Sequence, residues 1–197
     1  TAIKTAQNEN YNCIILDDGF QDSSVFKNLN IICFNGELLA GNEMTIPSGP
    51  LREPLSSLER AQIIIINGKV NKDFEKKIKS MNKNIKIYYS EYFFNKDLGQ
   101  FKKQKLLAFA GIGNPNSFFT LLHKNNLKIA KKIYFPDHYN YSLKELKDLV
   151  NYSIKNNLTI VTTEKDYFRM KHFKIPEIQY LSVKVKINNK TKFKKEL

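Results

Sequence analysis

Two adjacent aspartates, Asp17 and Asp18, are the first residues of the sequence whose type and position suggest a binding site. They follow the apolar run CIIL at 13–16, which we predict to be a buried β-strand, and they precede Gly19. Phosphate-loop nucleoside triphosphatases hold Mg²⁺ at a strand end of this kind, because the ion takes one or two carboxylates together with water and phosphate. A surface Asp-Asp-Gly turn has the same sequence and stays the alternative.

A phosphate loop would have to accompany these aspartates. Its signature is a glycine-rich run that ends in Gly-Lys followed by Ser or Thr, and the sequence contains no such run. The hypothesis of a nucleotide site therefore expects that loop upstream of Thr1, and it fails if the loop is not there.

The second candidate is the loop at 49–54, whose sequence is GPLREP. Its glycine and prolines predict a rigid, non-helical loop that can hold Arg52 and Glu53 in one geometry. Arginine is scarce in this lysine-rich chain, so Arg52 is a candidate for binding phosphate or carboxylate as a fork, and Glu53 could complete a metal shell. An ordinary ion pair in a surface turn explains the same residues equally well.

His138 is the third candidate and lies in the loop FPDHY at 135–139. Transfer of a phosphoryl group to a hydroxyl needs a group that accepts the hydroxyl proton, and an imidazole paired with a carboxylate does so near neutral pH. A structural role for His138 is the alternative. We assign His123 and His172 to solvated or capping positions.

Two further loops offer groups for binding phosphate. Gly111, Gly113 and Asn114 lie where a predicted strand passes into a helix, so backbone N–H groups and the helix N-terminus can face an anion there. In the segment TTEKD at 162–166, Thr163 is predicted to cap a helix and Lys165 to reach a phosphate. Helix capping alone explains most of this second segment.

Apolar runs that alternate with amphipathic segments predict a mainly parallel α/β fold, whose ligand loops follow the carboxyl ends of the strands. The predicted strands occupy residues 13–16, 31–34, 63–66, 85–94, 105–110, 128–135, 158–161 and 179–183. The predicted helices occupy 73–82 and 115–124, and a third begins at the capping box of Ser142 and Glu145. The polar segment 95–104 is the predicted linker between a first domain, 1–94, and a second, smaller α/β domain, 105–197.

The charge is distributed unevenly. The formal net charge of +13 arises entirely in residues 101–197, because basic and acidic residues balance over 1–100. Such asymmetry suits an anionic partner: nucleic acid, a phosphorylated substrate or an acidic membrane. Biased coding composition explains the lysine excess equally well, and the scarcity of arginine argues against a dedicated nucleic-acid surface.

The cysteines and the hydropathy suggest a reducing compartment and no membrane span. Cys13 and Cys33 each lie in an apolar run, where we expect buried free thiols and no disulfide. No apolar run approaches the roughly 18–20 residues that a helix needs to cross a bilayer.

Taken in order, five motifs resemble those of the tetraacyldisaccharide 4'-kinase family. They are LDDGFQ at 16–21, GPLREP at 49–54, GIGNP at 111–115, FPDH at 135–138 and TTEKD at 162–166. That family uses MgATP to phosphorylate the 4'-hydroxyl of the lipid A disaccharide 1-phosphate precursor, at the cytoplasmic face of the inner membrane of Gram-negative bacteria. The resemblance runs nearly end to end and implies that 1–94 is part of a phosphate-loop NTPase-like parallel sheet in a nucleotide-binding core.

The resemblance also implies roles for individual residues. Asp17 and Asp18 would lie around Mg²⁺, Arg52 and Glu53 would face the transferring phosphate and its metal, and His138 would belong to the proton-abstracting pair. The implied cofactors are ATP and Mg²⁺. The implied partners are the lipid precursor and an anionic membrane surface, and not nucleic acid.

Some features of that family have no counterpart in the sequence: its phosphate loop, its amino-terminal membrane helix and the aspartate that pairs with the catalytic histidine. We therefore expect the chain to be the carboxyl-terminal part of such a kinase and to be inactive alone. Asp22, Gln62 and Tyr139 stand where histidine, aspartate and histidine are frequent in the family, and none of these three has a direct role assigned.

Two other hypotheses stay open. A different phosphate-loop kinase or a nucleotide hydrolase would use the same acidic strand end but another acceptor. A non-catalytic basic module in 101–197 would bind any polyanion or a membrane, with strong salt dependence and no effect of Asp18→Ala or His138→Ala.

Overall fold

The computed structural model describes residues 2–95 and 97–197 as alternating strands and helices. The strands are β1 (Ile31–Asn35), β2 (Ile63–Asn67), β3 (Lys86–Phe94), β4 (Lys105–Ala110), β5 (Lys128–Tyr134), β6 (Thr159–Thr163), β7 (Gln179–Leu181) and β8 (Val183–Ile187). The helices are α1 (Ala2–Asn8), α2 (Lys72–Met81), α3 (Gly99–Lys102), α4 (Pro115–Lys124), α5 (Leu143–Lys155), α6 (Glu164–Met170) and α7 (Lys190–Lys194). Short 3-10 helices span Leu55–Arg60 and Lys171–Phe173.

The chain divides into two compact units. Unit 1 runs to Ser90 and also contains Ile187–Leu197, whereas unit 2 is Glu91–Lys186. These limits differ from the predicted domains 1–94 and 105–197 in two respects. Part of the predicted linker 95–104 forms α3, whose Phe101 is fully buried in the core of unit 2. The last segment, Ile187–Leu197, also belongs to unit 1, and no local sequence signal predicts this.

Unit 1 is built on parallel strands, with β1 paired to β2 and β2 paired to β3. One sheet has the strand order β1-β2-β3-β8. The isoleucines of β2 are largely buried, as expected for a strand in a parallel sheet that is covered by other elements. α2 begins at Asn71, whose side chain accepts a hydrogen bond from Phe74 N–H, and it packs Phe74 and Ile78 into the same core.

Unit 2 is centred on β4, which is hydrogen-bonded in parallel to β5 on one side and β6 on the other. Successive side chains of a strand point to opposite faces of its sheet. Leu106, Ala108 and Ala110 accordingly pack in one core with α4, while Leu107 and Phe109 pack in another with α5. The order β5-β4-β6-β7 completes this sheet, so the predicted parallel α/β fold is confirmed.

Local signals located the helix starts of unit 2 correctly. The Asn114 side chain accepts a hydrogen bond from Ser117 N–H, and Pro115 occupies the first turn of α4. Ser142 and Glu145 form the predicted capping box at the start of α5. Thr163 caps α6 by accepting from Asp166 N–H. Each of these predictions rests on contacts within a few residues along the chain.

The run at 13–16 is not a strand, so the prediction of a buried strand before Asp17 is wrong. These residues have no regular secondary structure, and Ile15 is 88% exposed. A strand needs a neighbour for its backbone hydrogen bonds and a cover for its apolar side chains. Among the described residues no strand pairs with 13–16, and β1, at the edge of its sheet, is paired only with β2.

The two sheets end differently at their outer strands. Within the described part of the chain, β5 is an edge strand that carries the exposed residues Lys128, Lys131 and Lys132. By contrast, β1 is an edge strand that carries no charged residue.

Cys33 in β1 and Cys13 are free and exposed, which contradicts their predicted burial. Every helix within residues 2–95 and 97–197 is too short or too polar to span a bilayer.

Candidate functional site

The acidic turn of unit 1 contains Asp17 and Asp18. Asp18 has a left-handed backbone (φ +56°), a conformation that aspartate tolerates better than most residues. Its carboxylate forms an ion pair with the Arg52 guanidinium, and both side chains are more than half exposed. The structure therefore joins two candidates that lie in separate loops of the sequence.

The loop that carries Arg52 is held by its own backbone. Thr45 and Leu51 form an isolated bridge, and Leu51 N–H donates to the Met44 carbonyl oxygen at 3.2 Å. A Cβ on Gly49 would lie 2.3 Å from that same oxygen, so the close approach of the two chain segments requires glycine. The predicted non-helical loop is confirmed, and these backbone contacts fix the position from which Arg52 extends.

Glu53 pairs with a different arginine. Its carboxylate accepts a hydrogen bond from Arg60, whose guanidinium carbon lies 4.6 Å from the ring centroid of Phe20. Phe20 in turn packs against the core of unit 1. The acidic turn and the 49–54 loop are thus connected twice, through Asp18 with Arg52 and through Phe20 with Arg60.

The carboxylates of this region have the chemistry that Mg²⁺ prefers. Among the described residues, no three His, Cys, Asp or Glu side chains are placed to hold a metal ion together. Mg²⁺ is usually bound by one or two carboxylates with water and substrate phosphate, and Asp17 and Asp18 fit that smaller donor set. Their role as metal ligands, and that of Glu53, stay predictions.

His138 lies in unit 2, on an exposed turn. Its backbone is left-handed (φ +58°), and its N–H donates to the Asp137 side chain at 2.9 Å. The ring itself is 72% exposed, with Nε2 3.9 Å from Asp137 Oδ2 and Nδ1 3.0 Å from Arg169 Nη2. The ring is therefore largely exposed, with an arginine against Nδ1 and the Asp137 carboxylate near Nε2.

Asp166 is the buried centre of this region. Its side chain is fully buried and accepts hydrogen bonds from Gly111 N–H at 2.9 Å and from the Thr163 hydroxyl at 2.7 Å. Arg169 Nη1 lies 3.4 Å from Asp166 Oδ1 and donates to the Gly111 carbonyl oxygen at 2.9 Å. We call Gly111, His138, Thr163, Asp166 and Arg169 the aspartate junction.

The junction explains why position 111 is glycine. A Cβ there would lie 2.7 Å from the Tyr141 hydroxyl oxygen and 3.1 Å from the Pro136 carbonyl oxygen. Such a close contact would push the strand-to-helix loop away from Asp166. The glycine is therefore explained by packing, without a bound phosphate.

Several predicted phosphate ligands are already engaged within the protein. The Asn114 side chain caps α4, while Gly111 N–H and the Thr163 hydroxyl bind Asp166. Lys165 Nζ lies 4.0 Å from Asp137 Oδ1, and a Cβ on Gly113 would lie 3.4 Å from Asp137 Oδ2. Binding phosphate through the first three would require exchange of these contacts, and all five assignments stay predictions.

Aromatic side chains pack beside the His138 turn. The ring centroids of Phe135 and Tyr139 are 4.8 Å apart, and those of Phe135 and Tyr141 are 5.0 Å apart. Burial raises the pKa of Tyr141, and the nearby Asp166 carboxylate raises it further, so this phenol stays neutral. The Tyr139 hydroxyl donates to Glu145 at 2.6 Å and thereby ties the turn to the start of α5.

The sequence analysis found most residues of both regions but missed Asp166 as a buried acceptor and missed Arg169 altogether. One available signal was the scarcity of arginine. The arginines of this lysine-rich chain are Arg52, Arg60 and Arg169, and each forms an ion pair with a carboxylate in these two regions. A guanidinium binds a carboxylate through a planar fork that lysine does not offer, which explains the selective use of arginine.

The parallel sheets and the loops at their strand ends define an α/β protein with the fold of phosphate-loop kinases. The crystal structure of LpxK from Aquifex aeolicus in complex with ATP is similar, with a TM-score of 0.60. The match covers 90% of this chain and 54% of that chain at 21% sequence identity. This structural similarity supports the parallel α/β fold.

Sequence comparison identifies the family. The family model of the tetraacyldisaccharide-1-P 4'-kinases (LpxK) matches residues 1–197. The tetraacyldisaccharide 4'-kinase of Pelagibacter ubique is 38% identical over 192 residues, which cover 96% of this chain and 61% of that protein. For the tetraacyldisaccharide 4'-kinase of Rickettsia bellii, 177 residues are 34% identical and cover 89% and 54%. The chain belongs to the tetraacyldisaccharide-1-P 4'-kinase family and spans about half to three fifths of the length of these relatives.

Proposed function

We propose that this chain is part of a kinase that uses ATP to phosphorylate the 4'-hydroxyl of the tetraacyldisaccharide 1-phosphate precursor in lipid A biosynthesis. The observation that carries the proposal is the family match over residues 1–197. The relatives are named for this acceptor. The aligned region includes the acidic turn, the Arg52 loop and the His138 turn, which offer the groups that phosphoryl transfer uses.

The roles of the unit 1 residues follow from their chemistry. Asp17 and Asp18 hold Mg²⁺, with Glu53 as a further carboxylate, and Arg52 binds the phosphate that is transferred. Phosphoryl transfer is catalysed chiefly by positioning and by electrostatic stabilisation. Bound Mg²⁺ supplies charge neutralisation between the phosphates of ATP. The ion pair of Arg52 with Asp18 keeps the arginine next to the acidic turn when no anion is bound.

The roles of the unit 2 residues concern the acceptor. His138 belongs to the pair of residues that removes the proton from the acceptor hydroxyl, since its ring is largely exposed and is held by Arg169 at Nδ1. Gly111, Gly113, Asn114, Thr163 and Lys165 are the candidates for contacts to phosphate groups of the nucleotide or lipid. Among them Lys165 has a side chain that is 53% exposed, with its Nζ 4.0 Å from Asp137 Oδ1, so an anion can reach it.

The lysine-rich second half has a place in this proposal. An enzyme that acts on an anionic lipid at the cytoplasmic face of the inner membrane of a Gram-negative bacterium gains from a basic surface, because anionic headgroups attract it. The excess of positive charge lies in residues 101–197. We propose that the partner of this surface is membrane or lipid substrate and not nucleic acid.

The test uses the full-length protein with MgATP and the acylated disaccharide 1-phosphate. His138→Ala should lower kcat by about 10²–10⁴-fold, the usual contribution of general acid–base catalysis, with little change in ATP binding. His123→Ala, which changes an exposed histidine of α4, is the matched control. Equal losses in kcat and in ATP affinity would contradict the assigned role of His138.

Two further measurements separate this kinase from its alternatives. An acylated glucosamine disaccharide should be the required acceptor, whereas another phosphate-loop kinase or a hydrolase would turn over ATP without it. The chain Thr1–Leu197 alone should give no measurable 4'-kinase rate. A rate from this chain alone would contradict the expectation that it is inactive by itself.

A further inference from the structure

Arg169 connects the buried part of the aspartate junction to the exposed His138 ring. Its Nη1 atom donates to the Gly111 carbonyl oxygen at 2.9 Å and lies 3.4 Å from Asp166 Oδ1. Its Nη2 atom lies 3.0 Å from His138 Nδ1. The Arg169 side chain is only 21% exposed, so a largely buried cation is the contact on one side of the candidate catalytic ring.

A guanidinium has hydrogen-bond donors and no acceptor. At 3.0 Å from Arg169 Nη2, His138 Nδ1 must therefore be the acceptor and must carry no proton. The proton of the neutral ring is then on Nε2. We infer that Arg169 is a positioning residue that sets the tautomer and the orientation of His138, so that the ring presents an Nε2–H group to its exposed side.

The position of Arg169 is itself fixed from inside the unit. Asp166 is fully buried, and it accepts hydrogen bonds from Gly111 N–H and the Thr163 hydroxyl. A buried carboxylate needs a compensating charge, and Arg169 is the ion-pair partner described for it. α6 brings both residues to one side, because positions three apart on a helix are neighbours. Asp166 thus holds the arginine that holds the histidine.

The inference sharpens the role of His138 and, for catalysis, rests on the proposed function. With Nδ1 engaged by Arg169, the ring donates a hydrogen bond through Nε2. It can take up the hydroxyl proton at Nε2 only in the other tautomer, in which the contact with Arg169 is lost. His138 consequently acts in its proton-abstracting pair as a donor that orients the partner group.

The first experiment measures the tautomer in the chain itself. Long-range ¹H–¹⁵N spectra resolve both ring nitrogens, and the chain has only 3 histidines, so His123 and His172 serve as internal controls. At a pH where the rings are neutral, the wild-type His138 should show an unprotonated Nδ1 and a protonated Nε2. Arg169→Met, which removes the donor, should shift the His138 signals towards those of a solvated imidazole.

A conservative variant separates the loss of positioning from the loss of the fold. Arg169→Lys keeps a positive charge for Asp166, but a single ammonium group does not reproduce the fork that reaches Gly111, Asp166 and His138 together. We expect a folded chain whose His138 signals still differ from wild type. Lys171→Gln is the matched control, because Lys171 lies near α6 but faces the Phe168 ring at 5.3 Å. Identical His138 signals in the wild type and both Arg169 variants would overturn the inference.

The second experiment measures kinetics in the full-length protein. Arg169→Lys should lower kcat by about 10- to 100-fold, the loss seen when a partner that orients a histidine is removed, with the KM for ATP little changed. Lys171→Gln should leave both constants unchanged. An unaltered kcat in Arg169→Lys would overturn the positioning role. Failure of the proposed function would look different: His138→Ala would then also leave the rate unaltered, whatever the spectra show.

Discussion

The two regions that carry candidate catalytic residues are built in opposite ways. In unit 1, Asp18 and Arg52 form an ion pair in which both side chains are more than half exposed. In unit 2, Asp166 is fully buried and collects hydrogen bonds from two separate chain segments. The first arrangement exposes charges that a ligand can replace. The second uses a hidden charge to hold an exposed ring in place.

Solvent exposure determines how much each of the two ion pairs contributes to stability. Water and salt screen an exposed ion pair, which typically contributes well under about 1 kcal/mol to stability. A buried carboxylate loses its hydration, so its protein partners have to replace it, and removing a partner is expensive. The acidic turn should therefore tolerate substitution without unfolding, whereas the aspartate junction should not.

The largest expected effect is that of Asp166→Ala. It removes the acceptor of the Gly111 and Thr163 hydrogen bonds and leaves Arg169 without its carboxylate, so unit 2 should lose about 3 kcal/mol of unfolding free energy. Urea unfolding followed by the amide signals of β4 and β6 measures this. Asp148→Ala, at an exposed position of α5, is the control. A loss no larger than that of the control would remove the contrast between the two regions.

A smaller effect is expected for Ser142→Ala, which removes the N-cap of α5. The cap should contribute about 1 kcal/mol, because its hydroxyl satisfies a backbone N–H that the helix leaves free. The same unfolding measurement applies, and Ser142→Asp, which keeps a capping oxygen, should restore most of the loss. No recovery by aspartate would mean that the contact of Tyr139 with Glu145, and not the cap, fixes this end of α5.

Asp18→Asn should change stability by less than about 1 kcal/mol, since the pair with Arg52 is exposed. Arg52→Gln should change stability by a similarly small amount. In the double variant, the coupling energy between the two substitutions should be small. Urea unfolding monitored by the amides of β1 and β2 gives the values. A coupling energy as large as the loss for Asp166→Ala would show that exposure does not distinguish the two regions.

The smallest expected effect depends on pH. Hydrogen bonds from Ser142 and Tyr139 lower the pKa of Glu145. A carboxyl group with a lowered folded pKa stabilises the fold fully above its ordinary pKa of about 4.3, and this contribution is lost as the pH falls through the lowered pKa. Amide exchange of α5 as a function of pH should show this acid loss. This loss of protection at acid pH should be absent in Glu145→Gln and present in Glu177→Gln, a control at an exposed position. An acid loss that persists in Glu145→Gln would contradict the assigned role of Glu145.

The sequence predicted what depends on neighbours along the chain. The caps at Asn114, Ser142 and Thr163 were identified because a cap and the N–H groups it binds lie within three residues. The parallel fold followed from apolar runs and connection lengths. The strand predicted at 13–16 failed because an apolar run becomes a strand only beside a partner strand, which its own letters do not reveal.

The aspartate junction shows what sequence reasoning does not predict: contacts between residues that are far apart along the chain. Its residues come from the loop after β4, the turn after β5, the last residue of β6 and helix α6, so no local pattern connects Arg169 with His138. Each motif was visible alone: Gly111 was a candidate for phosphate because backbone N–H groups at a helix N-terminus can face an anion, and Thr163 was predicted to cap a helix. Only the fold shows that a buried carboxylate has already engaged them.

The lysines of β5 have a consequence for how copies of this chain meet one another. Unpaired edge strands recruit strands from other molecules, and lysine at an edge prevents this because like charges repel and the ammonium groups stay hydrated. Lys128, Lys131 and Lys132 protect one sheet in this way, whereas β1 presents Ile31–Asn35 without a charge. Part of the lysine excess thus acts against self-association, a benefit that requires no anionic partner.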